Sequence, residues 1–255
     1  MAIQLRSRRQ IEKMHEAGRL VAQTFEHLRP HVRPGMTTRE LDRMAEQFIR
    51  KHGATPAYKG YRGQIMPFPA TICVAVNNVI CHGLPSDTPL CEGDIVGVDI
   101  GAKLDGWFGD SCVTYPVGQV SPEAERLLKV AEESMWRGIR AAQAGKRLGD
   151  IGAAIQTYVE ENGCSIVREW TGHGVGEKLH EDPSVPHFGK PGTGILLRPG
   201  FIFTIEPMIN AGGYETVLDK RDGWTVRTAD GSLSAQFEHT VVITEGDGPE
   251  ILTLP

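Results

Sequence analysis

No Cys-x-x-Cys pair occurs in the 255 residues, and the five cysteines, Cys73, Cys81, Cys91, Cys112 and Cys164, are odd in number. That pattern disfavours a disulfide framework and a thiolate zinc site, and fits reduced thiols in a cytosol. A basic surplus is also lacking: 27 lysines and arginines against 32 aspartates and glutamates leave a formal net charge of −5. A dedicated nucleic-acid surface is therefore not expected, and the short cluster Arg6, Arg8 and Arg9 reads as a solvated helix start. Long apolar runs are missing too. Stretches such as residues 72–76 fall far short of the roughly 20 residues that span a bilayer. The first ten residues carry charge where a secretory leader would carry an apolar run. The expectations are a cytoplasmic location and no membrane partner.

With 40% hydrophobic residues the chain can bury a sizeable core, and 255 residues fit one large domain, 1–255. It reads as duplicated. A segment from Gly35 to Gly53 and another from Gly145 to Gly163 have the same spacing and the same amphipathic helical pattern. Leu41, Met44, Ala45 and Phe48 face inward in the first; Ile151, Ala154, Ile155, Tyr158 and Val159 do so in the second. Thr37 with Glu40 forms a capping box, and Gly53 and Gly163 suit the positions just past a helix end. A longer helix precedes each, near residues 7–28 (Ser7 and Gln10 as box) and 122–143 (Ser121 as cap, Pro122 in the first turn). Strand blocks repeat as well: Leu90-x-x-Gly93 leads to a run ending at Asp99, and Leu197-x-x-Gly200 to a run ending at Glu206. β-rich runs then follow Asp110, up to Gly118, and Glu238, up to Gly246. Either two α/β segments are alike by chance, or the halves, roughly 7–118 and 122–246, face each other with two acidic residues apiece.

The acidic residues decide between these readings. Asp105-Gly106 is a strong two-residue hairpin signal. A turn there pairs Leu104 with Trp107, sets Asp99 opposite Cys112 and Asp110 opposite Gly101. Side chains alternate along a strand, so Asp99 and Asp110 fall on one face as diagonal neighbours. Gly97 and Gly101 are expected to leave that face uncrowded. One such pair could be solvated aspartates beside a turn. Glu206, however, ends the buried-type run 201–205 and precedes Pro207, and Glu238 shares a face with Gln236, Thr240 and Val242. Four carboxylates in two matched pairs are hard to explain as structural acids, because like charges held close need a proton or a cation between them.

His173 joins them. It lies in Thr171-Gly172-His173-Gly174-Val175-Gly176, read as a glycine-rich loop turning around a ligand or an ion. No Lys-Ser/Thr follows, so the phosphate-loop reading fails. Four carboxylates and one imidazole suit two divalent ions of the borderline-to-hard kind, Mn, Fe(II), Co or Zn, which together favour hydrolysis of an amide.

These residues resemble the type I methionine aminopeptidases, in their short bacterial form. The motifs that carry the resemblance are Cys81-His82-Gly83-Leu84-Pro85, Asp99 with Asp110, His173-Gly174-Val175-Gly176 running to His180, Glu206-Pro207, and Ser234-Ala-Gln-Phe-Glu238-His-Thr. They span nearly the whole chain. The resemblance implies an α+β pita-bread fold of two pseudo-symmetric halves with helices outside a curved antiparallel sheet. It implies removal of the initiator methionine from nascent polypeptides with a small second residue. Asp99, Asp110, His173, Glu206 and Glu238 are then the metal ligands, with Glu206 also the general base. His180 would bind the scissile carbonyl and His82 the amide nitrogen. Tyr61, Cys73, Met208, Trp224 and Gln236 match the methionine pocket, and Asn77, Val79 and Ser234 a backbone-carbonyl site for one Na or K ion. The ribosome is a candidate further partner and a monomer the expected state. The start Met1-Ala2 itself satisfies the rule of a small second residue, which makes the chain a candidate for its own substrate.

Three positions depart from the family pattern. Leu179 stands where an aromatic is frequent, Gln64 where a second tyrosine is common, and residues 65–70 look lengthened. Their apolar members Ile65, Met66 and Phe68 need a place to bury, either in the core or as a wall of the pocket. Two other functions stay open: a proline-directed aminopeptidase of the same fold, whose relatives usually carry a large N-terminal domain, and a metal-free binding homologue, whose signature would be lost ligands.

Overall fold

The structure, a computed structural model, describes residues 3–246 and 248–255. The Met1-Ala2 start and Asp247 lie outside the described residues. Among the described residues no helix is long and apolar enough to cross a membrane, and Cys73, Cys81, Cys112 and Cys164 are buried as free thiols with Cys91 exposed.

Helix α1 covers Arg8–Leu28 and α2 Thr38–Lys51; α3 covers Pro122–Ala141 and α4 Leu148–Glu161. Their ends follow the capping signals. Glu40 N–H donates to Thr37 Oγ1 at 3.2 Å while Thr37 N–H donates to Glu40 Oε2 at 3.0 Å. Ser7 N–H donates to Gln10 Oε1 at 2.9 Å, and Ala124 N–H to Ser121 Oγ at 3.2 Å. Each such bond satisfies a backbone or side-chain group that the first helical turn leaves unpaired. The α1–α2 pair buries Leu28, Leu41 and Ile49 against Val98 and Ile100, and the α3–α4 pair buries Leu127, Ile151 and Ile155 against Phe203 and Ile205.

Backbone hydrogen bonds recur between the two halves. Gly35 N–H meets Leu90 O at 2.8 Å, and Gly145 N–H meets Leu197 O at 3.0 Å. Leu90 N–H returns to Met36 O at 2.8 Å, and Leu197 N–H to Lys146 O at 2.8 Å. In both halves a leucine before a strand thus tethers the segment that leads into the second helix.

The strands run antiparallel throughout their pairings. In the first half, β1 (Thr55–Pro56) and β2 (Ile72–Val76) lie along one edge of β4 (Ile95–Leu104), and β5 (Trp107–Pro116) along the other. In the second half the order is β15 (Glu250–Ile251), β14 (His239–Val242), β9 (Ile202–Ile205), β7 (Gly172–Gly174), β8 (Glu181–Val185). Two three-stranded sheets complete the fold. One is β13 (Ser234–Gln236), β10 (Met208–Asn210), β6 (Ser165–Ile166); the other is β11 (Thr216–Leu218), β12 (Val226–Thr228), β3 (Val79–Cys81). This is the expected α+β architecture of helices and antiparallel sheets, its strands hydrogen-bonded in four groups.

The halves join at β5. Glu238 N–H donates to Cys112 O at 2.9 Å, Thr240 Oγ1 to Asp110 O at 2.8 Å, and Thr114 Oγ1 to Gln236 O at 2.6 Å. This seam carries Asp110 of one half up against Glu238 of the other.

Candidate metal centre

The hairpin register is the one the turn dictates. Leu104 pairs with Trp107, Asp99 with Cys112 and Gly101 with Asp110. The two aspartates share a face, and across the seam Glu238 joins Asp110. Glu206 follows β9 directly, beside His239 of β14, since Ile205 pairs with His239.

His173 belongs to a strand, which corrects the expected loop. β7 lies between β9 and β8, and its glycines are there for space. A Cβ on Gly172 would come within 2.5 Å of Thr204 O, and one on Gly174 within 2.4 Å of Asp182 O. Backbones packed this closely hold His173 facing the carboxylates. Its Nδ1–H donates to Gly174 O at 2.9 Å, which leaves Nε2 as the free lone pair. Nε2 lies 3.7 Å from Asp110 Oδ2 and 3.6 Å from Glu206 Oε1. These contacts are not ion pairs: burial pushes the imidazole down to about 3, so it is neutral. Ligand atoms of Asp110, His173 and Glu238 all lie within 4.8 Å of one another.

Asp110, Glu206 and Glu238 are buried and Asp99 nearly so. Among the described residues no lysine or arginine pairs with any of them. Burial raises all four carboxyls: Asp99 to about 7, Glu206 to about 8, Asp110 and Glu238 well above the usual range, the last two helped by neighbouring carboxylates. Glu238 Oε1 is buried without a hydrogen-bond partner. An orphaned carboxylate oxygen among buried acids, facing a free imidazole lone pair, fits a divalent cation with oxygen and nitrogen ligands.

Several of these side chains are held by polar neighbours. Glu206 accepts from Thr204 Oγ1 at 2.6 Å and from Gln236 Nε2 at 3.2 Å, and its own N–H donates to His187 Nε2 at 3.0 Å. Gln236 therefore backs Glu206 and does not line the cavity, which corrects its expected place in the pocket wall. Sequence reasoning missed His187, which is wholly buried, and Tyr58. The Tyr58 hydroxyl lies within hydrogen-bonding reach of both Asp99 and Asp110. Burial and those carboxylates push its phenol well above the ordinary range, so it stays a donor. Gly101 was expected to leave the aspartate face open; it makes room for Tyr58 instead, whose ring would lie 2.8 Å from a Cβ at that position. A glycine inside a strand signals such a close approach, but not what approaches.

The centre opens into a cavity of about 720 Å³. Tyr61, Cys73, His82, Met208, Trp224 and His180 line it. Tyr58, Phe68 and Leu179 complete an apolar wall with Cys73. Phe68 is 2% exposed and stands edge-on to Trp224 at 5.2 Å, whereas Met66 is not in the wall and contributes its carbonyl to Trp224 Nε1 at 3.0 Å. Ile65 remains 58% exposed against Gly223. His82 has a left-handed backbone, φ 55°, and the next residue, Gly83, is pressed onto β2, where a Cβ would meet Val74 O at 2.1 Å. Its ring is edge-on to Trp170 at 5.0 Å, and burial, then His180, lowers its pKa to about 4. Asn77 and Ser234 come together, Ser234 N–H donating to Asn77 O at 2.9 Å, with Val79 two residues on in β3.

Residues 12–245 match the profile of metallopeptidase family M24. The chain is 52% identical to methionine aminopeptidase 1 of Bacillus subtilis (strain 168), over 96% of each chain. A crystal structure of methionine aminopeptidase from Rickettsia prowazekii superposes with a TM-score of 0.96 at 47% identity, covering 99% of this chain and 100% of that one. Xaa-Pro dipeptidase from Bacillus anthracis shares the fold with a TM-score of 0.74 at 24% identity; this chain covers 61% of its length.

The electrostatics predict a pH signature. Unfolded carboxyls titrate near 4, so in metal-free protein the stability these groups contribute is full below roughly pH 4 and is lost as pH rises through about 7 and 8, the folded values of Asp99 and Glu206. The buried histidines act oppositely: His82 and His239 fall to about 4, His173 and His187 to about 3. Their contribution is lost on acidification and is complete above roughly 6.5, the unfolded value. Between roughly pH 6.5 and 8 only the carboxyl effect remains. The melting temperature of chelated protein should fall across that window, and added Mn(II) should remove the fall. A chelated protein with a flat profile there would contradict the burial of these acids together.

Proposed function

The chain belongs to metallopeptidase family M24, and from that premise we propose that it is a methionine aminopeptidase, removing the N-terminal initiator methionine from nascent proteins and peptides whose second residue is small. The observation that carries the proposal is one continuous space in which four carboxylates and an imidazole border an apolar cavity. The methionine aminopeptidases similar to it over their full length support the same reading.

Asp99, Asp110, His173, Glu206 and Glu238 would hold two divalent ions drawn from Mn, Fe(II), Co and Zn. When bound, such ions supply Lewis acidity, lowering the pKa of water and polarising an amide carbonyl. Glu206 takes the proton of the attacking water, with its carboxylate held in place by Thr204 and Gln236. His180 donates to the scissile carbonyl oxygen and to the charge that develops on it. His82, whose ring stacks edge-on with Trp170, contacts the amide nitrogen and assists the departing amine. Tyr58, Tyr61, Phe68, Cys73, Leu179, Met208 and Trp224 receive the methionine side chain, whose thioether is recognised by shape and soft contacts. The carbonyls of Asn77, Val79 and Ser234 would take one Na or K ion. We read residues 1–255 as a single catalytic domain whose halves, 7–118 and 122–246, are related by duplication. It would act in the cytoplasm as a monomer on emerging chain ends, with the ribosome as a further partner.

Glu206→Gln keeps size and removes basicity, so turnover of a Met-Ala-Ser peptide should drop by at least about 10²-fold; a variant within a few-fold of wild type would exclude the role. The same peptide should be cleaved and Ala-Pro peptides left intact, and the reverse preference would make the chain a proline-directed enzyme. Phe68 is both buried and part of the cavity lining, so Phe68→Ala should cost about 3 kcal/mol in urea unfolding and also raise KM. Met66→Ala should leave KM unchanged, since only its backbone reaches the pocket wall.

A further inference from the structure

We propose that Tyr61 is a positioning residue whose hydroxyl donates to Nδ1 of His180 and holds that imidazole as the Nε2–H tautomer, its remaining N–H turned toward the bound amide. The inference rests on the peptidase reading of the site. Tyr61 Oη and His180 Nδ1 lie 2.8 Å apart, and the two rings meet edge-on at 5.1 Å. The other side of the His180 ring stands against His173, 4.3 Å between centroids. Among the described residues, the Tyr61 hydroxyl is the only group that hydrogen-bonds the His180 ring.

The surroundings of both residues are built to keep this contact. The turn that carries His180 is fixed through its backbone: Glu181 Oε1 accepts from the N–H groups of Glu177 and Lys178 at 2.9 and 3.1 Å, and Glu181 Oε2 pairs with buried Arg6 at 2.5 Å. None of these bonds reaches the imidazole, so ring orientation is left to Tyr61. Tyr61 is pinned in turn. Its N–H donates to Tyr58 O at 2.8 Å, and its carbonyl accepts from Phe68 N–H at 2.9 Å. The loop between them is closed by Gly60 N–H on Phe68 O at 2.8 Å and by Trp224 Nε1 on Met66 O at 3.0 Å. The segment 65–70 thereby braces the tyrosine that in turn braces the histidine.

The direction of the bond follows from chemistry. A neutral imidazole offers one donor and one acceptor, and a phenol donates more strongly than it accepts. O–H to Nδ1 is therefore the better pairing, and it fixes the proton on Nε2. The opposite tautomer would aim a lone pair at a carbonyl oxygen and repel it. A tyrosine acting only as pocket wall would need its ring and not its hydroxyl, and Tyr61→Phe separates the two roles. At 38% exposed, position 61 accepts that change without loss of fold.

On Met-Ala-Ser, Tyr61→Phe should lower kcat about tenfold with KM within about twofold, and in a His180→Ala background it should have no further effect. In zinc-loaded protein with ¹⁵N-labelled histidine, His180 should show an unprotonated, hydrogen-bonded Nδ1 and a protonated Nε2, and the Nδ1 resonance should move in Tyr61→Phe. An unchanged kcat and an unchanged ¹⁵N spectrum, with only Tyr61→Ala raising KM, would overturn the proposal and leave Tyr61 as a wall. A wild-type protein that cleaves no Met-Ala peptide would defeat the peptidase reading, while the nitrogen spectrum would still decide the pairing.

Discussion

Four carboxylates held close together away from water, with no lysine or arginine among the described residues to balance them, are the constraint around which the chain is arranged. Isolated charges of this kind are costly to bury, and such groups take up protons unless a cation is bound. Every nearby feature serves to keep them there. The β4–β5 hairpin sets Asp99 and Asp110 on one face, and the β5 seam brings Glu238 to Asp110 across the join between halves. Glycines on β7 let three strands close around His173. The helices bury apolar side chains of these strands in two core clusters.

A second layer of polar contacts converts that cluster into a directed site. Thr204, Gln236 and His187 orient Glu206, Gly174 O sets the tautomer of His173, and Tyr58 spans the aspartate pair. Such partners govern the basicity and aim of the groups they touch. The apolar wall alongside, from Phe68 to Trp224, is edge-to-face aromatic packing that both stabilises the loop 61–70 and shapes the cavity. Stability and specificity therefore draw on the same side chains in this region.

How much of this was legible depended on the range of the interaction. Local signals were readable: Asp105-Gly106 fixes a register because strand side chains alternate with period two, and Thr37 with Glu40 marks a helix start because both bonds close within one turn. The four acidic residues and the matched spacings around them are local features of the same kind. Long-range approaches were not. The glycines around His173 read on paper as a loop turning around a ligand or an ion, yet Gly172 and Gly174 are strand positions pressed against the Thr204 and Asp182 backbones. Gln236 alternates onto the expected face, but its amide is spent on Glu206. Tyr58 and His187 carry no motif; only the partner each meets in space gives it a role.

The central claim is that the buried acids and His173 exist to hold divalent metal. It is tested most directly by titrating Mn(II) into chelated protein in a calorimeter, at pH 7, in buffers of different ionisation enthalpy. Binding should be saturable and should release protons, because carboxyls raised to about 7 and about 8 must lose them to become ligands. It should vanish when Asp110 and Glu238 are both replaced by their amides. Absence of binding, or binding that survives the double replacement, would contradict the account.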